Sequence, residues 1–315
     1  MTGCFYDWPL DEVLTYLRSI GVESVELGTG GYTHPAHCDP AYYLERPERT
    51  GDLKRLLADC GMRISALACH GNPVHPDPDR AQVFQRVYAD ALRLANLLEV
   101  DTVVTFSGCP GGCRTDRTPN WVTCPWPDDY ARILDYQWNE VLLPYWQQAA
   151  RRAEEAGVRV AIELHPGFCV YNPETMLRLR AAVGPAVGAN FDPSHLFWQG
   201  IDPAAAVRAL GECIYHVHAK DTRVDPWNTG RTGVLDTKPY WKIQDRSWVF
   251  RTVGYGHGEQ VWRDLLSELH LAGYDRAVSI EHEDGLMPVR EGLEKAVAFL
   301  KPILIAGDEK ERGCV

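Results

Sequence analysis

Eight times along this chain a short β-rich run is followed by a longer stretch with apolar residues at helical spacing. This is the pattern of parallel strands joined by helical crossovers. The runs predict strands near 2–5, 24–28, 63–69, 101–106, 158–164, 187–192, 214–219 and 277–282. The periodic stretches predict helices over 9–20, 49–61, 79–98, 129–156, 173–183, 202–210, 260–272 and 289–303. Asn172-Pro173 and Asp202-Pro203 each place a capping side chain before a proline at the first helical position. The eightfold count favours an α/β fold, a closed (β/α)8 barrel over residues 1–315 as one domain. An open sheet is the alternative, because the run at 2–5 is short and close to the terminus. No linker rich in Gly, Ser or charge divides the chain.

Two connections exceed what a compact unit needs: 107–128 after the fourth expected strand and 221–259 after the seventh. Loops that follow the strand C-termini of such a barrel surround its active site, so these two are expected to wall a pocket. The second carries Trp227, Trp241 and Trp248.

Near the C-terminal ends of four expected strands stand Glu163 in VAIELHPG, Asp192 in VGANFDPSH, His218 in IYHVHAKD and Glu281 in AVSIEHED. One glutamate at a strand end is more often a surface carboxylate than a ligand. Four such groups on different parallel strands converge on one hard divalent cation. Residues two apart share a strand face, so Glu163 pairs with His165, His216 with His218, and Glu281 with Glu283. His165, His216 and Glu283 are candidates for orienting the ligands. His195 is expected to contact substrate, with a fifth ligand or a helix cap as alternatives. His70, at the exit of run 63–69, would face the same pocket. His34, His37 and His75 lie in loops, and His270 reads as a helix-surface residue.

Other signals read more plainly. The net charge of −11 and the absence of a Lys/Arg run argue against nucleic acid as a partner. No stretch approaches the roughly 18 apolar residues of a membrane span. Ten cysteines in a chain of 315 residues do not resemble a secreted disulfide scaffold. The N-terminus lacks the basic and apolar regions of a signal peptide, so a cytoplasmic location is expected. Cys109, Cys113 and Cys124 lack paired C-x-x-C spacing and read as free thiols in a loop rather than a zinc site. GTGG (28–31) and GYGHG (254–258) lack the spacing of nucleotide-binding motifs and read as turns, and no G-x-S-x-G elbow is present.

In ELHPG, NFDPSH, HVHAKD and SIEHED the sequence resembles the xylose isomerase-like TIM barrel superfamily, in particular the sugar phosphate isomerase/epimerase proteins. The resemblance covers almost the whole chain. That group includes ketose 3-epimerases and inosose dehydratases. The resemblance implies Glu163, Asp192, His218 and Glu281 as ligands of a Mn²⁺-like ion, with Co²⁺, Mg²⁺ or Zn²⁺ also accepted by such a set. It implies His195 and Arg223 as substrate contacts; His70 and His216 are further candidates. A small-molecule carbohydrate is the expected partner, with a homo-oligomer or a small partner subunit as further options.

The chemistry expected of such a site is proton transfer through an enediolate, with Glu163 and Glu281 as general base and acid. Returning the proton to the same carbon epimerises, and returning it to the next carbon isomerises. The runner-up is elimination: dehydration, or cleavage of a 3-keto-glycoside as in the related C-glycoside deglycosidases, with His165 or His195 as base. The loop tryptophans suit a bulky aglycone. Few cations beyond Arg223, Lys220 and Arg231 serve a phosphate. Apurinic endonucleases share the barrel and a histidine-rich zinc site, for which His70, His195 and His257 would be the analogues, but the acidic charge argues against that activity. A non-catalytic sugar-binding barrel is the remaining alternative.

Overall fold

The computed structural model describes residues 1–305. Six parallel strands follow one another around the sheet: β1 (Ser24–Gly28), β2 (Arg63–Ala68), β3 (Thr102–Phe106), β4 (Arg159–Glu163), β5 (Val187–Phe191) and β6 (Ile214–Ala219). Next come β7 (Asp221–Val224) and β8 (Trp248–Arg251), which form a separate antiparallel hairpin, and β9 (Val278–Ile280), which pairs in parallel with β6. The result is a nearly closed seven-stranded parallel barrel wrapped by helices.

Each of the seven barrel strands coincides with an expected run, but the eighth does not form. Thr2–Phe5 is a 3-10 helix packed against β1. The run closes into 3-10 turns shortly before Pro9, the residue that precedes the helix Leu10–Ser19. Instead the Met1 ammonium donates to the Ile280 carbonyl at 2.8 Å, satisfying one acceptor at the edge of β9. At this N-terminal end of the strands a cavity of ≈ 640 Å³ opens among residues of β1, β2 and β9, including Ser24, Ser65 and Ser279.

Seven of the eight periodic stretches are helices with ends within three residues of expectation. The eighth, 129–156, is broken into α-helix Asp128–Asp135, a π-helical turn Tyr136–Leu142 and α-helix Leu143–Ala156. Pro144 has no N–H for the carbonyl four residues back, and a widened turn relieves the clash its ring would cause. Gln137, on that turn, donates to the carbonyls of Pro110 (3.1 Å), Gly111 (3.2 Å) and Asn120 (2.6 Å), so it pins the long loop after β3.

Two buried tryptophans anchor the mouth in a similar way. Trp146 donates to the Ser107 carbonyl at 2.8 Å, and Trp262 to Asp221 Oδ2 at 3.3 Å. Truncating either to alanine would cost about 3–5 kcal/mol. The connection 221–259, expected as a loop, contains the β7–β8 hairpin and a short helix, Pro226–Thr232. Among the described residues no helix is long and apolar enough to cross a membrane.

Candidate active site

Alternation along β4 puts Ala161 and Glu163 on one face. Ala161 joins Ala66, Ala68 and Val104 in a small apolar cluster separate from the main core. Small side chains here leave space for polar ones. Glu163 pairs in register with Asn190 of β5, and Asn190 with His216 of β6, so these three form a layer.

Asp192 follows β5 and caps the short helix Pro193–Phe197. Its Oδ1 accepts from the Ser194 amide at 2.8 Å, while its buried Oδ2 accepts no hydrogen bond. The Asp-Pro sequence thus fixes the backbone and leaves one carboxylate oxygen facing inwards. The set expected from the sequence is brought together: one ligand atom each of Glu163, Asp192, His218 and Glu281 lie within 4.8 Å of one another, a group that could hold a metal ion. His218 Nδ1 stands 3.3 Å from both Glu163 Oε2 and Glu281 Oε2, buried and without a hydrogen-bond partner. An inward carboxylate oxygen whose nearest charged neighbour is a cation, the Lys220 ammonium, and a buried imidazole nitrogen with no hydrogen bond, beside two further carboxylates, fit a cation.

Behind His218 stands Glu26, in the middle of β1. It accepts from His218 Nε2 (3.0 Å), His216 Nε2 (3.2 Å) and Ser279 Oγ (2.7 Å). Because a carboxylate accepts, Nε2 of His218 carries a proton, which leaves Nδ1 as the nitrogen that could turn a lone pair to a cation. Burial opposes charge on the ring, but Glu26 and the carboxylates of Glu163 and Glu281 raise the imidazole well above 6.5. Burial alone would raise the Glu26 carboxyl, but the charges and hydrogen bonds of His218 and His216 outweigh it and hold it well below the usual range. Burial likewise opposes charge on Glu163. Hydrogen bonds from His195 and His70, with the His218 ring close by at 3.3 Å, prevail and hold it well below 4.5.

The histidines divide by position. His70 donates to Glu163 Oε2 at 2.8 Å and His195 to Oε1 at 3.2 Å, while Asn190 Nδ2 reaches Oε2 at 3.1 Å. The ring of His165 lies 4.1 Å from that of His195, and its Nδ1 donates to the Pro166 carbonyl at 2.6 Å, which leaves Nε2 as an acceptor. Burial and the neighbouring His195 push the His165 imidazole down to about 3. His216 is buried beneath His218 and bonded to Glu26, in a supporting position rather than a substrate-facing one.

Lys220 is buried beside the cluster. Its ammonium lies 2.7 Å from Glu281 Oε2, 3.1 Å from Glu283 Oε2 and 3.2 Å from Asp192 Oδ2. Phe250 of the hairpin covers it, with the ammonium 4.6 Å from the ring centre, and also meets His195 edge-on at 5.5 Å. A run of rings therefore borders the site, from Phe168 through Phe106, His165 and His195 to Phe250 and Trp248. Arg223 is not drawn in. It is exposed and, by alternation along β7, shares a hairpin face with Arg251 rather than with Phe250 and Trp248.

Asp221 organises the rim. Its Oδ2 accepts from the amides of Gly254 (3.1 Å), Gly256 (3.0 Å) and His257 (2.9 Å), and its Oδ1 from the Thr222 amide and His257 Nδ1, both at 2.8 Å. The GYGHG segment is thus a backbone cradle for a carboxylate, and His257 is committed to it. A Cβ on Gly256 would lie 2.4 Å from the Thr222 carbonyl, which explains the glycine.

Cys109 is buried, Cys113 and Cys124 are exposed, and all three are free. Among the described residues no cysteine joins a candidate metal group. Sequence reasoning missed Glu26, Asn190, Ser279 and the position of Lys220. The signal for Glu26 was a single charge between Val25 and Leu27 on an otherwise apolar strand.

The model of the xylose isomerase-like TIM barrel family matches residues 14–303. The chain is 38% identical over 296 residues to the uncharacterised protein YfiH of Bacillus subtilis (strain 168), covering 93% of this chain and 94% of that one. It is 30% identical over 127 residues to an inosose dehydratase of Geobacillus kaustophilus (strain HTA426), 39% of this chain and 41% of the relative. Among solved structures, the probable 3-DHS dehydratase AsbF of Bacillus anthracis superposes with a TM-score of 0.64 at 16% identity, over 95% of this chain and 96% of that one. With the strand order, the helical wrap and the match over nearly all of its length, this chain belongs to the xylose isomerase-like TIM barrel family.

Proposed function

We propose that this protein is a divalent-metal-dependent enzyme that moves a proton at the carbon beside the carbonyl of a keto sugar or related polyhydroxy ketone, with isomerisation or epimerisation as the outcome. The observation that carries this reading is the convergence of Glu163, Asp192, His218 and Glu281, with Asp192 Oδ2 and His218 Nδ1 buried and without a hydrogen bond. The mixed carboxylate and imidazole set suits Mn²⁺, the metal we propose, and also Co²⁺, Mg²⁺ or Zn²⁺. When bound, such a cation supplies Lewis-acid polarisation of a carbonyl oxygen and its neighbouring hydroxyl, a stabilisation of roughly several kcal/mol.

The side chains supply the rest. Both oxygens of Glu163 already accept from His70, Asn190 and His195, so this carboxylate is a ligand and a poor proton acceptor. His165 has its Nδ1 proton committed to Pro166 and a lone pair on Nε2, which makes it the base of this reading, a weak one while burial and His195 hold its imidazole at about 3. Glu281, whose side chain is the most exposed of the four at 16%, is the second proton carrier. His70 and His195 orient substrate oxygens, and the rings of Phe106 and Phe250 keep water from the reacting carbon.

A second reading, loss of water or of an aglycone from the same kind of substrate, is favoured by the sequence similarity to inosose dehydratase. One experiment tests both. The protein is incubated with Mn²⁺ in deuterated water and a panel of free ketoses, keto-cyclitols and 3-keto-glycosides. Deuterium in an intact product supports isomerase or epimerase chemistry. An unsaturated product or a released aglycone supports elimination. No exchange and no elimination across the panel would sink both readings.

A further inference from the structure

We propose that Lys220 is a built-in counter-ion that competes with a divalent cation for Asp192 and Glu281, and yields them by leaning onto Glu283 when the cation binds. The inference rests on reading the four-residue cluster as a metal centre.

Lys220 follows His218 by two residues, and its ammonium has left solvent to stand among carboxylates. Two of the three oxygens it meets, Glu281 Oε2 at 2.7 Å and Asp192 Oδ2 at 3.2 Å, are oxygens of the candidate ligands, and Glu281 Oε2 also faces His218 Nδ1 at 3.3 Å. An ammonium and a cation that share these atoms repel each other strongly in a water-poor site. The third oxygen offers the exit. Glu283 lies at 3.1 Å, and its side chain is 49% exposed, so pairing there costs little desolvation. Phe250, 4.6 Å from the ammonium, provides an aromatic face beside it.

Charge matching gives the arrangement its purpose. The three carboxylates of the cluster with one ammonium beside them carry a net charge of two minus, which one dication cancels. Without the ammonium the buried set would be over-charged, and the protein lacking metal would hold three carboxylates with little compensation.

The test compares the wild-type protein with Lys220→Met and Glu283→Gln after chelation, using calorimetric titration with Mn²⁺ and thermal melts with and without Mn²⁺. Lys220→Met is expected to bind Mn²⁺ at least about tenfold more tightly, from the loss of a like charge. Its melting temperature should fall in chelator and recover with Mn²⁺, giving a larger metal-induced shift than in wild type. Glu283→Gln should bind Mn²⁺ about three- to tenfold more weakly, since the ammonium loses its resting place. Should Lys220→Met fail to fold, Lys220→Gln carries the same comparison. Unchanged or weaker Mn²⁺ binding by the Lys220 variants, or an equal fall in melting temperature with and without Mn²⁺, overturns the proposal and leaves the metal centre standing. A wild-type protein that binds no divalent ion at all overturns the metal reading itself.

Discussion

Glu26 and His218, 192 positions apart, meet at 3.0 Å between Oε2 and Nε2. The contact holds a proton on Nε2 of His218, and so turns Nδ1 towards Glu163 and Glu281. A residue at the centre of the first strand thereby sets the state of one at the end of the sixth.

Replacing Glu26 should weaken the site without touching it. Glu26→Gln offers His218 both an acceptor and a donor, and metal affinity is expected to fall about 10- to 100-fold, the usual effect of removing a ligand's orienting partner. Titration with Mn²⁺ checks this, and Glu26→Asp should fall between the variant and wild type. Equal affinities for all three would remove Glu26 from the role.

Asp192→Asn separates capping from ligation. An asparagine Oδ1 can still accept from the Ser194 amide, so the helix start should hold and the melting temperature of the chelated protein should stay close to wild type. The inward oxygen loses its charge. Metal content after dialysis against Mn²⁺ should drop well below one ion per chain, whereas retention of a full equivalent would exclude Asp192 as a ligand.

Loss of the Asp221 carboxylate should loosen the rim. Asp221→Ala leaves the amides of Gly254, Gly256 and His257 and the indole of Trp262 without their acceptor. A cost of about 3–5 kcal/mol follows from stranding buried donors of this number. Urea unfolding measures it, and a change under about 1 kcal/mol would show that water replaces the carboxylate readily.

Acid sensitivity has one local source that can be isolated. Burial would raise the Asp236 carboxyl, but Lys238 and the amides of Ser247 and Lys238 overcome it and lower it from 3.8 to about 2. A carboxyl depressed on folding stabilises above its unfolded value and loses that contribution as pH falls through the folded one. The stability difference between wild type and Asp236→Asn should therefore be constant above about pH 5 and shrink between pH 4 and 2. Melts over this range test it, and a difference independent of pH would assign the effect to packing.

The barrel was legible because its cause is local. Alternating runs and helical spacing report which face of each segment is apolar, and Asx-Pro pairs such as Asn172-Pro173 mark helix starts through a cap that involves only neighbouring residues. The run at 2–5 misled because four residues of suitable type cannot show whether a partner strand is within reach, and here the Met1 ammonium takes the place of a ladder. The π-helical turn was hidden for a similar reason, since periodicity does not register a proline inside a helix that the surrounding packing still requires.

By itself the sequence determined the order of strands and helices and the four residues that gather at the barrel mouth, because strand ends and alternation follow from the chain's own pattern. Only the tertiary structure decided that Glu26 orients His218, that Lys220 lies among the candidate ligands, that His216 lies beneath His218 and bonds Glu26, and that Arg223 stays outside the cluster. These are contacts between residues distant in the chain. Their direction is set by register between neighbouring strands and by which polar groups must find partners once water is excluded.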